Sequence, residues 1–189
     1  MFNNKTLLFA FLLATCCNTT FAQDTNHPLQ GWFVKGHYTY SHSTTEYGQP
    51  GFMRESGRHS HIWGASAGYT ATRWQAGLGY DSTTWENADA KLYGAHLNYL
   101  HPLQSTSLFT PYIGINVGQI RVWSEYQNKG NHCGTYGLQT GLLIPLAPHV
   151  FGELGWRYIN TDECSVSTGA HRMKVENISG STIGIGIRF

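Results

Sequence analysis

The chain has 189 residues, with 12 Lys+Arg, 11 Asp+Glu and 10 His; only 12% of it is charged, while 14% is aromatic. That balance excludes intrinsic disorder, which goes with high charge and few aromatics. No stretch beyond residue 22 reaches the run of about 18 apolar residues that a membrane helix needs, and the near-zero net charge argues against a nucleic-acid partner.

Residues 1–22 read as an export signal. Lys5 supplies a positive start, Leu7–Ala14 an apolar core, and Thr20-Phe21-Ala22 a small-x-small cleavage site before Gln23. The core is too short for a membrane anchor. A lipoprotein signal ending at Cys16 would place Thr15, a poor residue there, just before the lipidated cysteine. Cleavage after Ala22 would leave residues 23–30 as a short periplasmic segment and 31–189 as one domain, exported from the cytoplasm.

From Gly31 onward the dominant period is two, the signature of strands. Trp32, Val34, Gly36, Tyr38 and Tyr40 alternate with Phe33, Lys35, His37, Thr39 and Ser41. Trp63, Ala65, Ala67 and Tyr69 then oppose Ile62, Gly64, Ser66 and Gly68, and Trp74, Ala76, Leu78 and Tyr80 oppose Gln75, Gly77, Gly79 and Asp81. Tyr93, Ala95, Leu97 and Tyr99 alternate with Gly94, His96 and Asn98, and Ile113, Ile115 and Val117 with Tyr112, Gly114 and Asn116. Three further segments, around Leu138, Leu154 and Ile185, repeat the pattern, which makes eight strands. Short links at Thr70–Thr72, His101–Thr110 and Pro145–Pro148 alternate with links at Ser41–Gly57, Glu86–Ala90, Ser124–Cys133 and Asn160–Val175, most of them long and polar. This predicts an all-β, eight-stranded antiparallel up-and-down barrel.

A secreted lipocalin-type barrel would share the strand count, with its apolar face inward. The polar face separates the two. It is mostly Gly, Ser, Asn and Gln, which suits a narrow filled lumen better than a watered exterior. The opposite face is aliphatic in mid-strand and aromatic towards the ends. Trp32, Tyr69, Trp74, Tyr99 and Phe189 would form one interfacial girdle, and Tyr40, Trp123, Tyr136 and Tyr158 the other. A transmembrane barrel is therefore expected.

Two stretches carry a family resemblance. Ser181-Thr-Ile-Gly-Ile-Gly-Ile-Arg-Phe189 resembles the closing strand of bacterial outer-membrane proteins, and Thr110-Pro-Tyr-Ile-Gly-Ile-Asn-Val-Gly118 resembles a central strand of small OmpA-like and opacity-type barrels. The resemblance implies an outer-membrane location among lipids and lipopolysaccharide. It also implies recognition of Phe189 by the barrel assembly machinery.

Lys35, Arg73, Glu153, Arg157 and Arg188 fall on the predicted lumen face, where a buried charge must be paired. Glu153 and Arg157 lie four residues apart on one strand, and Lys35 lies at a similar height two strands away. Glu153 is expected to pair with Arg157, Lys35 or both, either as a structural plug or as a gate for small solutes. Cys133 and Cys164 sit at the far ends of the hairpin turning at Pro145–Pro148, and an oxidising compartment permits a bridge. His59 and His61 with His42 suggest a metal or pH site, but the ligand set is incomplete and neither a metal nor a cofactor is expected. A lipid A-modifying enzyme would need a serine with a nearby base. His37 and Asp81-Ser82 are the available residues, but they lack the deacylase-type His-x-Ser pattern. A non-enzymatic barrel is expected, with the long loops free for adhesion or another host contact, or with a role in envelope integrity.

Overall fold

Alternation at period two, with aromatic and β-branched residues throughout, favours extended backbone, and the unpaired edges of a sheet must be covered or closed on each other. The computed structural model describes residues 29–49, 52–85, 88–101, 108–124, 130–168 and 171–189. The expected export signal and residues 23–28 lie outside the described residues. Eight strands are present: β1 (Gly31–Gln49), β2 (Phe52–Thr70), β3 (Trp74–Trp85), β4 (Ala88–Leu100), β5 (Thr110–Ser124), β6 (Asn131–Ala147), β7 (Val150–Thr168) and β8 (His171–Arg188). They close into an antiparallel barrel in sequence order. At the seam Trp32 N donates to Phe189 O at 3.0 Å and Phe189 N donates to Trp32 O at 2.9 Å, so the terminal residue is part of the closure.

The faces are as expected from the alternation. Leu78 is 71% exposed and Ile113 62%, whereas Thr39 and Asn98 are fully buried. A closed barrel with an apolar exterior and a polar interior belongs in a bilayer. Aromatic pairs mark the edges of the belt. Trp32 packs on its register partner Tyr69 at 5.3 Å and Trp74 on Tyr99 at 5.1 Å at the periplasmic rim. Tyr38 packs on Trp63 and Tyr80 on Tyr93 towards the other.

Two of the expected long loops are mostly strand. Within Ser41–Gly57, β1 runs to Gln49 and β2 begins at Phe52; within Asn160–Val175, β7 runs to Thr168 and β8 begins at His171. Above the bilayer the outer face meets water, so both faces turn polar and the period vanishes while backbone pairing continues. The result is lopsided. β1, β2 and β7 have 19 residues and β8 has 18, against 12 in β3 and 13 in β4.

The interior is layered. Phe33, Leu100, Tyr112, Leu143 and Phe151 form an apolar cluster at the periplasmic end. Ile62, Ile120, Val122, Ile159, Val175 and Ile178 lead a second one towards the extracellular end. Polar and charged side chains fill the space between.

Candidate functional site

The middle layer is built on rows of register partners in which glycine sits between bulky polar residues of neighbouring strands. One row runs Glu153, Gly184, His37, Gly64, Asp81 across β7, β8, β1, β2 and β3. His37 Nε2 donates to Asp81 Oδ1 at 2.6 Å directly across Gly64. A Cβ on Gly64 would stand 2.0 Å from that oxygen and 2.4 Å from that nitrogen. A second row, Gln75, Asn98, Gly114, Gln139 and Arg157, carries an amide chain. Gln139 Nε2 donates to Asn98 Oδ1 at 2.6 Å over Gly114, and Asn98 Nδ2 donates to Gln75 Oε1 at 3.0 Å. Glycine alternation on the lumen face thus makes room for side chains of neighbouring strands to lie across it.

Two cations face two carboxylates in this layer. Lys35 Nζ pairs with Glu153 Oε2 across β8, and Tyr112 Oη donates to Glu153 Oε1 at 2.5 Å. Arg157 Nη1 donates to Asp81 Oδ2 at 2.8 Å from the opposite wall, so Asp81 is held by both Arg157 and His37. All four ion-pair residues are nearly enclosed, and in so confined a site attraction is weakened little by solvent.

The expected Lys35–Glu153 pair is present, and Arg157 lies in the layer but bonds Asp81 rather than Glu153. Arg73 is a correction: it lies exposed in the turn between β2 and β3, because β3 begins only at Trp74 and the turn carries Arg73 out of the alternation. Arg188 points inward but stands apart from the network. Its Nε and Nη2 donate to Pro148 O at 2.9 and 2.5 Å, fixing the turn between β6 and β7. Asp81, His37 and Tyr112 complete the site. All three were on the predicted inward face, yet period alone does not say which opposite-wall residues meet.

A cavity of about 70 Å³ adjoins these groups. Arg157 Nε and Nη2, His37 Nδ1, His96 Nε2, Asn116 Nδ2 and Ser66 Oγ are buried around it without a protein partner. At roughly 10–15 Å³ per water it has room for about five to seven. Ser82 alternates with Asp81 and pairs in register with Trp63 on the outward side, and His37 Nδ1 has no hydrogen-bond partner among the described residues.

Cys133 and Cys164 are joined, with Cα atoms 5.5 Å apart, and both pack into the extracellular apolar cluster, stapling β6 to β7. His42 and His59 are register partners with rings 5.0 Å apart, and His61 contacts Tyr38 Oη instead. Among the described residues no three His, Cys, Asp or Glu side chains gather as a metal set.

No protein-family model matches the chain, and no curated protein is detectably similar in sequence. Solved structures are similar in fold. Neisserial surface protein A (NspA) aligns over 84% of this chain and 97% of its own, at 17% identity and a TM-score of 0.62. OprG, an outer-membrane protein of Pseudomonas aeruginosa, aligns over 87% and 98% at 15% identity and 0.59. The N-terminal β-barrel domain of OprF from the same organism aligns over 85% and 98% at 13% identity and 0.53. At these identities the similarity establishes a shared fold, a small eight-stranded antiparallel barrel like those of these outer-membrane proteins. Together with the apolar belt, this places the chain among bacterial outer-membrane barrels.

Proposed function

We propose that this is a sealed outer-membrane barrel that works through its extracellular wall, as an adhesin or another host-contact surface, without enzymatic activity. The observation that carries the reading is the layered lumen. A paired charge layer lies between two apolar clusters, so a solute or a lipid headgroup would have to cross packed side chains at either end. That leaves the outside as the working surface. β7, β8, β1 and β2 are neighbours in the barrel, and their long upper halves form one continuous wall. β1 runs nine residues beyond Tyr40, which at a rise of about 3.3 Å per residue and a tilt near 45° lifts its tip roughly 20 Å. The Cys133–Cys164 staple supports the base of this wall. A paired-strand wall presents a pre-formed surface, which lowers the ordering cost of binding.

The test is to replace residues 46–55 and 165–174 by short turns and to measure attachment of expressing bacteria to cultured epithelial cells. Attachment should fall with the shortened hairpins while the barrel still assembles. Unchanged attachment would remove the wall from the function. The unpartnered polar atoms beside the cavity favour a second reading, a narrow gated channel. A sealed lumen predicts background conductance in planar bilayers for the wild type and for Glu153→Gln with Arg157→Gln, whereas a gate predicts current from that double variant. Lipid A mass spectra altered by expression would support the enzyme reading instead.

A further inference from the structure

Only one corner of the Arg157 guanidinium is used by the protein. Nη1 donates to Asp81 Oδ2 at 2.8 Å, while Nε and Nη2 are buried without a protein partner. Those two nitrogens carry the parallel N–H pair that grips a planar oxyanion through two of its oxygens. Arg157 lines the lumen cavity of about 70 Å³, and so do Asn116, Ser66 and His37. Asn116 Nδ2, Ser66 Oγ and His37 Nδ1 are likewise buried without a protein partner. The surroundings are closed: Ser66 is 6% exposed and the His37 side chain 8%.

Donors outnumber acceptors around this space. Arg157 and the amide nitrogen of Asn116 can only donate, and the carboxylates at hand are already held. Asp81 has Arg157 and His37, and Glu153 has Lys35 and Tyr112. A water at the fork would accept from Arg157 but would need acceptors for its own two hydrogens. An oxyanion needs none. Space for about five to seven waters also takes an ion the size of formate or nitrate, with water left beside it.

We propose that the lumen cavity binds one small planar oxyanion of the formate, nitrate or bicarbonate class, and that a proton enters with it. Two anion oxygens accept from Arg157 Nε and Nη2, Asn116 Nδ2 is a third donor, and the proton goes to His37. The proton follows from charge. Lys35 and Arg157 balance Glu153 and Asp81 in this layer, so an anion alone would leave one uncompensated negative charge where solvent screens it poorly. The groups around His37 are Lys35 on its own strand, Asp81 on β3, His96 on β4, Tyr112 on β5, and Glu153 and Arg157 on β7; the described cavity residues of β2, β6 and β8 are uncharged. His37 Nε2 already donates to Asp81 at 2.6 Å, a carboxylate that stabilises an imidazolium, and a protonated Nδ1 would donate to the anion. His96 has no such carboxylate within ion-pair distance among the described residues. The site is independent of the extracellular wall.

The test refolds isotope-labelled protein in zwitterionic micelles with graded sodium formate, holding ionic strength constant with sodium chloride. Nuclear magnetic resonance follows the Arg157 Nε–H signal, assigned by its loss in Arg157→Lys. Formate should shift that signal saturably at pH 6, and chloride should not. Raising the pH to 8 should weaken formate binding by about tenfold or more, because a proton is taken up with the anion. Asn116→Leu should lose most of the affinity. His37→Gln, whose amide can still donate to Asp81, should bind weakly and equally at both pH values. A shift that never saturates or that chloride matches would mean an adventitious ion only, and no shift would mean a cavity of water alone. Either result, or a pH dependence that survives His37→Gln, would overturn the proposal. If the variants do not fold, the wild-type comparison of formate with chloride at the two pH values decides alone, with the signal assigned by its contacts to neighbouring side chains. Formate added after folding reports separately on the seal: immediate uptake would count against the sealed lumen and leave the site standing.

Discussion

A single methyl group on Gly64 should be far more damaging than the same group on Gly79, although both glycines line the lumen. At Gly64 the new Cβ would stand 2.0 Å from Asp81 Oδ1 and 2.4 Å from His37 Nε2, in the path of a 2.6 Å hydrogen bond. Asp81 cannot swing away freely, because its other oxygen is held by Arg157 at 2.8 Å. At Gly79 the nearest atoms to the new Cβ are 3.7 Å away, an ordinary contact. Loss of a charge-assisted hydrogen bond costs about 1.5–3 kcal/mol and overpacking about 1–3 kcal/mol, against a gain of about 0.5–1 kcal/mol from replacing a strand glycine. Gly64→Ala should therefore destabilise by about 2–5 kcal/mol, and Gly79→Ala should be neutral or stabilising by up to about 1 kcal/mol. Reversible urea unfolding in detergent micelles measures both. Added to Asp81→Ala, which removes the obstructed carboxylate, Gly64→Ala should cost less than it does alone. Equal effects at the two glycines, or an undiminished effect in the Asp81→Ala background, would refute the crossing of His37 and Asp81 over Gly64.

Three further outcomes follow from the same geometry. Glu153→Gln strands Lys35 and should cost about 3–5 kcal/mol, less whatever cavity water recovers, with Lys35→Met added to it restoring part of the loss; Glu46→Gln, which weakens a half-exposed pair with Lys174, should cost about 0–1 kcal/mol in the same unfolding assay. Arg in place of Leu97 or Ile115, both on the lipid face, should cost about 2–4 kcal/mol near the midplane in vesicle-folding titrations. Replacing Cys133 and Cys164 by serine opens a loop spanning 31 residues and should lower stability by about 3.7 kcal/mol on the chain-entropy model, read from unfolding with and without reductant.

The strand number, the faces and the Cys133–Cys164 bridge were legible because period two is a local signal and hairpin neighbours have nearly fixed offsets. Lys35–Glu153 was legible for a related reason: only β8 separates their strands, and Gly184 and Gly186 there leave the way clear. Arg157–Asp81 was not, since those residues are 76 positions apart and meet across the lumen through the tilt and stagger of the closed barrel, which no local pattern encodes. Arg73 was misplaced because the link that follows Thr70 runs through Arg73, so the alternation of β3 begins one residue later, at Trp74. The upper halves of β1, β2, β7 and β8 read as loops because above the bilayer the outward residues turn polar while much of the buried side is itself Ser and Thr (Ser41, Ser43, Thr45, Ser60), which removes the contrast that alternation reports. Their lumen side still carries Val175 and Ile178, buried in the extracellular cluster, but so sparse an apolar pattern reads as irregular.

The assignment of outward side chains to lipid is the claim on which the rest depends, and nitroxide accessibility along β5 tests it most directly. Spin labels would be placed singly at Ile115, Val117, Gln119 and Arg121, with Cys133 and Cys164 left bridged. In lipid vesicles, the labels at positions 115 and 117 should collide readily with oxygen and hardly with a water-soluble nickel chelate. That preference should reverse by position 121, at headgroup level. Equal nickel accessibility at Ile115 and Arg121 would mean that the apolar face meets water, and the membrane barrel would have to be abandoned.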